Sequence, residues 1–161
     1  MIKLLRVDHR LLHGQVAFSW TSFLQADCIL IASDNVVNDQ LRLTTIKLAK
    51  PSGVKLVIKN IEDSIKALKE GKTDKYRLFI VVESVGDAAK IAKAVKTIKS
   101  INLGGTRPKE NTISVSKVVH LTEEEINIVK ELSSDGVEVE VRQVPNDTRV
   151  NAVDLIKNKI S

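Results

Sequence analysis

Apolar runs that read as strands alternate with one-sided apolar stripes at helical spacing along almost the whole of this 161-residue chain. The runs lie at 2–7 (IKLLRV), 28–32 (CILIA), 54–58 (VKLVI), 78–82 (LFIVV), 98–103 (IKSINL), 118–121 (VVHL) and 137–142 (VEVEVR). Several are continuous and β-branched, the pattern of strands covered on both faces. Between them fall stripes at Val37, Leu41, Thr45 and Leu48, at Ile61, Ile65 and Leu68, at Val85, Ala88, Ala92 and Val95, and at Ile126, Val129 and Leu132. Each needs a surface to pack on. The alternation predicts an α/β fold: an open, mostly parallel sheet of about seven strands with helices on both faces, joined by right-handed crossovers. The strict alternation of VEVEV sets that run apart as a one-faced or edge strand, with an antiparallel orientation open.

Punctuation divides the chain in the same way. Asp34 or Asn35 is a candidate cap for the second helix, and Pro51 with Gly53 ends it. Thr122 and Glu125 have capping-box spacing ahead of the last long stripe, and Gly136 follows that stripe where a helix terminus favours glycine. With no internal repeat, low-complexity tract or linker-like shift in composition, the expectation is a single domain over residues 1–161. The closing stretch VNAVDLIKNKIS is amphipathic, with Val153, Ile156 and Ile160 on one side to cover the sheet or a neighbouring subunit.

Several function classes fall away on composition. No apolar run approaches the roughly 20 residues that cross a bilayer, and the N-terminus is charged too early for a secretory signal. The only cysteine, Cys28, sits in an apolar run and reads as a buried strand residue in a reducing compartment. The formal net charge of +5 invites a nucleic-acid reading, but the lysines are scattered and one Trp, one Tyr and three Phe offer little to stack bases on. A solvated basic surface that favours acidic or phosphorylated partners fits better. No CxxC, HExxH, GxGxxG or GxxxxGK[ST] pattern occurs, so neither a metal nor a nucleotide cofactor has sequence support.

The chemistry is concentrated in RVDHRLLHGQV at 6–16, which follows the first apolar run and holds Asp8, His9, Arg10, His13 and Gly14 within a few positions. In open α/β sheets functional groups gather beyond the carboxyl ends of strands, where loops enter helices. Val16, Trp20 and Leu24, with Phe23 alongside, mark a helix over 14–24, so His13 and Gly14 fall at its mouth. Unpaired helix N–H groups and the fork of Arg10 together suit a phosphoryl group. A histidine there is suited to general acid–base work or to nucleophilic attack on phosphorus, with Asp8 placed to fix its tautomer. NLGGTR at 102–107 reads as a backbone-donor loop on the same rim or as a plain turn, and His120 as a core or rim histidine.

RVDHRLLHGQVAFSW closely resembles the signature of the EIIB component of the mannose/fructose/sorbose family of the bacterial phosphotransferase system, usually R-[VI]-D-D-R-L-[IL]-H-G-Q-V. IASDNVVNDQLR (31–42), NLGGTR (102–107) and VEVEVRQVPND (137–147) resemble later segments of that family in the right order. The resemblance implies a cytoplasmic phosphoryl carrier, peripherally associated with a membrane permease. It implies that His13 accepts phosphate from an EIIA phosphohistidine and passes it to a sugar bound by EIIC/EIID, with no cofactor. Carried over by position, Arg10 stabilises the phosphate, Asp8 supports its geometry, and Gly14 and Gln15 supply loop and backbone donors. Arg142 is chosen as a second cation; Asn38 and Arg42 are rim candidates with a helix-surface role as the alternative. The sequence departs from the family at His9, where a second aspartate is usual; His9 is also a rival acceptor on chemistry alone. A phosphorylatable regulatory module not dedicated to transport is the competing reading, and the oligomeric state is left open.

Overall fold

The chain folds as alternating strands and helices around one seven-stranded sheet; the computed structural model describes residues 1–160, with side chains as far as Lys159. In chain order the sheet elements and helices begin β1 (Ile2–Asp8), α1 (Gly14–Leu24), β2 (Cys28–Ala32), α2 (Gln40–Ala49), β3 (Lys55–Lys59) and α3 (Ile61–Lys69). They continue with β4 (Leu78–Val82), α4 (Val85–Ala94), β5 (Ser100–Gly105), β6 (Thr112–Ser114), β7 (His120–Thr122) and α5 (Glu123–Ser134). The last are β8 (Glu138–Val141), β9 (Val150–Asn151) and α6 (Ala152–Ile160). The strand order is β3-β2-β4-β1-β5-β8-β9, parallel except for β9, which runs antiparallel to β8.

The helices divide unequally between the faces. Ala17 and Trp20 of α1 and Ile46 of α2 pack on Leu4, Ile29, Ile31, Phe79 and Val81. Helices α3 to α6 cover the other face through Ile61, Leu68, Ala88, Ile91, Ile126, Val129 and Ile156 against Leu5, Val7, Leu30, Ile80 and Leu103. The chain therefore leaves β1 toward one face and β4 toward the other. Such a divergence opens a crevice beyond the carboxyl ends of neighbouring strands.

Local signals act where their chemistry is strongest. Thr122 and Glu125 form the reciprocal capping box, and Gly136 takes φ +86° after α5. Four expectations need correction. The second helix is capped by Asp39, whose carboxylate accepts from the Arg42 N–H, because a 3-10 turn at Val36–Asn38 intervenes; Asp34 accepts from the Ile61 N–H instead. In α2 the stripe read as packing points outward, with Leu41 79% and Leu48 83% exposed, and Ile46 is the residue that reaches the core. VVHL does not join the main sheet: β7 pairs antiparallel with β6 in a separate hairpin, and the seventh strand is β9. VEVEV is an internal parallel strand, and its alternation arises because Glu140 is buried on the polar side of the sheet rather than exposed. In the closing helix Ile156 is buried and Val153 half-buried; the Ile160 side chain lies outside the described residues.

Candidate functional site at the end of the first strand

The turn after β1 is shaped by backbone constraint. Leu11 sits at φ 60° and Gly14 at φ 38°, with the Leu11 N–H donating to the Asp8 carbonyl (2.8 Å) and the Arg10 N–H to Asp8 Oδ1 (3.1 Å). Left-handed residues on either side of His13 let the chain reverse and enter α1 at once. His13 is the N-cap of that helix, extended at φ −153°, and its carbonyl receives the first helical bond from Ala17 (3.0 Å). Its side chain does not cap the helix. It turns back so that Nε2 lies 2.8 Å from Asp8 Oδ2.

Asp8 is 2% exposed, and Arg6 Nη2 donates to the same Oδ2 at 3.1 Å. Burial works to raise the Asp8 carboxyl, but the His13 hydrogen bond and the Arg6 charge outweigh it and hold Asp8 below the ordinary aspartate range. Asp8 is thus an ionised, acceptor-only carboxylate. The His13 nitrogen facing it must carry the proton, which leaves the lone pair on Nδ1. Nδ1 makes no hydrogen bond among the described residues, and the His13 side chain keeps 18% of its surface open.

The opening beside His13 is a cavity of about 590 Å³. One wall is His9, Arg10, Leu12 and His13; α2 contributes Arg42 and Thr45, and the β4–α4 junction Glu83 and Ser84. The opposite wall comes from the segment after β5, with Thr106, Arg107, Lys109 and Thr112, and from His120 and Glu125. Arg42 is committed to Glu83 at 3.0 Å. Burial would raise the Glu83 carboxyl; hydrogen bonds from Ser33, Arg42 and Asn35 prevail and lower it. Arg10, Arg107 and Lys109 make no ion pair among the described residues, so their charge is available to an anion.

The structure thus brings His9, Arg10, His13 and Arg42 to one cavity, with Asp8 directly beneath and Gly14 and Gln15 forming the first turn of α1. Arg142 is not among them. Its guanidinium lies over Trp20 (4.9 Å) and Phe23 (5.6 Å) and bonds Glu140, so a second phosphate cation at that position is withdrawn. Asn38 is exposed on the 3-10 turn, away from the cavity wall. NLGGTR ends a strand, and its Thr106 and Arg107 do reach the rim. His120 is a rim residue whose Nδ1 hydrogen-bonds Ser114 Oγ at 2.7 Å. Lys109, Glu83 and Ser84 were not singled out from the sequence, and Glu125 was read only as a helix cap; the β6–β7 hairpin that carries the far wall has too few strand residues to announce itself.

No group of three or more His, Cys, Asp or Glu placed to hold a metal ion occurs among the described residues. Fold and site together define an open parallel α/β protein with a histidine at the mouth of its first crossover helix. The family described as the PTS system sorbose subfamily IIB component matches residues 2–161, and the chain belongs to it. It is therefore a phosphotransferase component of a sugar transport system. A probable phosphotransferase enzyme IIB component of Streptococcus pyogenes serotype M6 is 36% identical over 97% of this chain and 99% of its own length. The fructose-specific EIIB component of Bacillus subtilis is 31% identical over 98% of this chain and 96% of its own. The IIBSor domain of the Klebsiella pneumoniae sorbose permease superposes with a TM-score of 0.93 at 29% identity, over 98% of this chain and 97% of that one.

Proposed function

We propose that His13 is the phosphoryl carrier of this IIB component, accepting the group on Nδ1 from a phosphohistidine of an EIIA protein and donating it to a sugar held by membrane EIIC/EIID components. The observation that carries the reading is the Nε2–Asp8 contact of 2.8 Å. It leaves Nδ1 unprotonated, on a ring that lines a cavity rimmed by Arg10, Arg107 and Lys109.

In the transfer, the His13 Nδ1 lone pair forms a bond to phosphorus as the donor P–N bond breaks, and that electron pair returns to the donor imidazole. His13 then has both ring nitrogens substituted and is cationic. Asp8, already ionised, stabilises this charge through Nε2–H without taking the proton. The equatorial oxygens meet Arg10 and the open N–H groups of the first turn of α1. In the second step the sugar hydroxyl attacks phosphorus, its proton departs to a base of the permease or to water, and neutral His13 is restored.

A related arrangement supports EIIA as the donor: the mannose-specific EIIAB component of Escherichia coli matches this chain at 31% identity over 48% of its own length, so there the two parts share one polypeptide. Relatives of similar identity carry fructose, mannose and sorbose in their names, which fits a domain that hands on phosphate while the membrane partners choose the sugar. His9 also faces the cavity, but the carboxylate contact that fixes a tautomer belongs to His13.

The test is transfer of labelled phosphate from phosphoenolpyruvate through the general phosphotransferase proteins and a cognate EIIA, with wild type, His13→Ala and His9→Ala compared. An acid-labile, alkali-stable label lost only in His13→Ala is expected. Label that persists in His13→Ala and disappears in His9→Ala moves the carrier to His9; no label on any form, with EIIA phosphorylated, overturns the carrier reading.

A further inference from the structure

A buried polar stripe runs across the sheet beneath α1, and the proposed transfer does not account for it. Strand alternation puts Arg6 and Asp8 of β1, Asn102 and Gly104 of β5 and Glu140 of β8 on the α1 face, and the register aligns Arg6 with Asn102 and Asn102 with Glu140. Arg6, Asp8, Asn102 and Glu140 are all buried. A charged, forked side chain 1% exposed is expensive to desolvate unless every partner is in place.

Both terminal nitrogens of Arg6 are held, while its Nε is buried without a hydrogen-bond partner among the described residues. Nη2 donates to Asp8 Oδ2 (3.1 Å), and Nη1 donates to Asn102 Oδ1 (2.8 Å) and the Arg142 carbonyl (3.3 Å). Its guanidinium carbon lies 5.3 Å from the centre of the Trp20 ring. Asn102 is itself oriented, because its Nδ2 donates to the Arg142 carbonyl at 3.0 Å, which commits Oδ1 to Arg6. Space for the fork comes from Gly104, where a Cβ would stand 2.0 Å from Arg6 Cζ.

We infer that Arg6, which never reaches the cavity, is a positioning residue that decides which nitrogen of His13 attacks, by keeping Asp8 an acceptor only. The inference rests on the carrier reading of His13. The reasoning is one of proton inventory. Were Asp8 protonated, its O–H would donate to His13 Nε2, the ring proton would move to Nδ1, and the lone pair would be withdrawn from the cavity. Burial alone favours that neutral acid. The guanidinium, 3.1 Å from Asp8 Oδ2, acts with the His13 hydrogen bond against that preference, and Asn102, Trp20 and Gly104 keep the guanidinium there.

The test follows the ring nitrogens of His13 by ¹⁵N NMR in the unphosphorylated protein, at a pH above the ordinary histidine range, in wild type, Arg6→Met, Arg6→Lys and Gly104→Ala. Wild type is expected to show the Nε2–H form. Arg6→Met is expected to shift His13 toward Nδ1–H and to lower the rate of labelling from phospho-EIIA by about 100-fold, the lower end of what a positioned proton partner supplies. Arg6→Lys keeps the charge and is expected to retain the Nε2–H form even where it loses stability, which a purely structural role would not allow. Gly104→Ala keeps every charge and displaces the fork, so it should reproduce the tautomer shift and stands in for Arg6→Met should that variant not fold. A folded Arg6→Met or Gly104→Ala with wild-type tautomer and rate overturns the inference. Because the tautomer is read without phosphate, loss of the carrier reading shows separately, as label on a residue other than His13.

Discussion

Replacing Asp8 by asparagine separates charge from shape at the support of the candidate site. The carboxylate makes three contacts, with His13 Nε2 at 2.8 Å, Arg6 Nη2 at 3.1 Å and the Arg10 N–H at 3.1 Å. An amide of the same size accepts at one oxygen only and presents a donor on the other side. Loss of one charge-assisted hydrogen bond to the developing imidazolium removes about 1.5–3 kcal/mol from the transfer step, or about 10- to 150-fold in rate. The variant also leaves Arg6 buried without its anion, a change that costs about 3 kcal/mol or more of stability. Against a typical total of about 5–15 kcal/mol the chain should still fold, so both quantities are measurable. Urea unfolding gives the second, and rapid-quench labelling from phospho-EIIA gives the first. A folded Asp8→Asn protein labelled at the wild-type rate would refute the role of the carboxylate; unchanged stability would refute the buried pairing with Arg6.

Gly104→Ala should lower stability by about 1–3 kcal/mol, since its methyl would stand 2.0 Å from Arg6 Cζ in a buried layer, and should change the fluorescence of Trp20, the only tryptophan; an unchanged unfolding midpoint and spectrum count against the crowding. Acid should destabilise the fold through Asp8 and Glu83. Both titrate lower in the folded chain than in the unfolded one, so their contribution is complete above the ordinary carboxylate range and is lost as pH falls through the folded values, while Asp87, pushed up by burial, acts in the opposite sense. Loss of that acid sensitivity in wild type, followed by thermal melts at stepped pH, would contradict the assignment. Leu41→Glu and Leu48→Glu, at positions 79% and 83% exposed, should change stability by no more than about 0.5 kcal/mol; a larger loss in equilibrium unfolding would mean that these side chains pack on the chain after all.

Continuous runs such as CILIA and LFIVV announced buried parallel strands because they are too short for helices and rich in β-branched residues, and the motif after β1 announced its own place because it sits between such a run and a helical stripe. The misreadings share a cause: periodicity reports which residues differ from their neighbours, not what lies over them. Leu41 and Leu48 repeat at helical spacing yet face outward, since α2 meets the sheet core through Ile46 and Ala49. VEVEV alternates as an exposed strand would, yet Glu140 is buried because Arg142, Arg149 and Asn102 surround it. Arg142 was placed at the phosphate from its position at the end of β8; in the fold, the Trp20 and Phe23 rings draw it to the far side of the polar stripe. Arg6 was noted only as one charge of the opening cluster and given no role, because nothing local to the sequence tells a buried cation from one at a strand end. Its partners Asn102 and Gly104 lie some hundred positions away and meet it only through the pairing of β1 with β5.

That pairing also explains how one site can both accept and release. A carrier that gripped phosphate as tightly as a receptor would slow its second transfer, so charge near the group has to be limited as well as present. In this chain part of the cationic charge near His13 is already engaged, Arg6 by Asp8 and Arg42 by Glu83. What faces the cavity uncommitted is Arg10 on the turn before α1 and Arg107 and Lys109 on the segment after β5, all on loops rather than on the sheet. The Asp8–Arg6–Asn102 support is built into paired strands, while the uncommitted cations lie on loops, and under the proposed transfer those loops would adjust to a donor and an acceptor in turn. Raising affinity by adding a fixed cation to β5 or β8 would work against transfer, whereas loosening Arg6 would alter which nitrogen reacts before it altered how firmly phosphate is held.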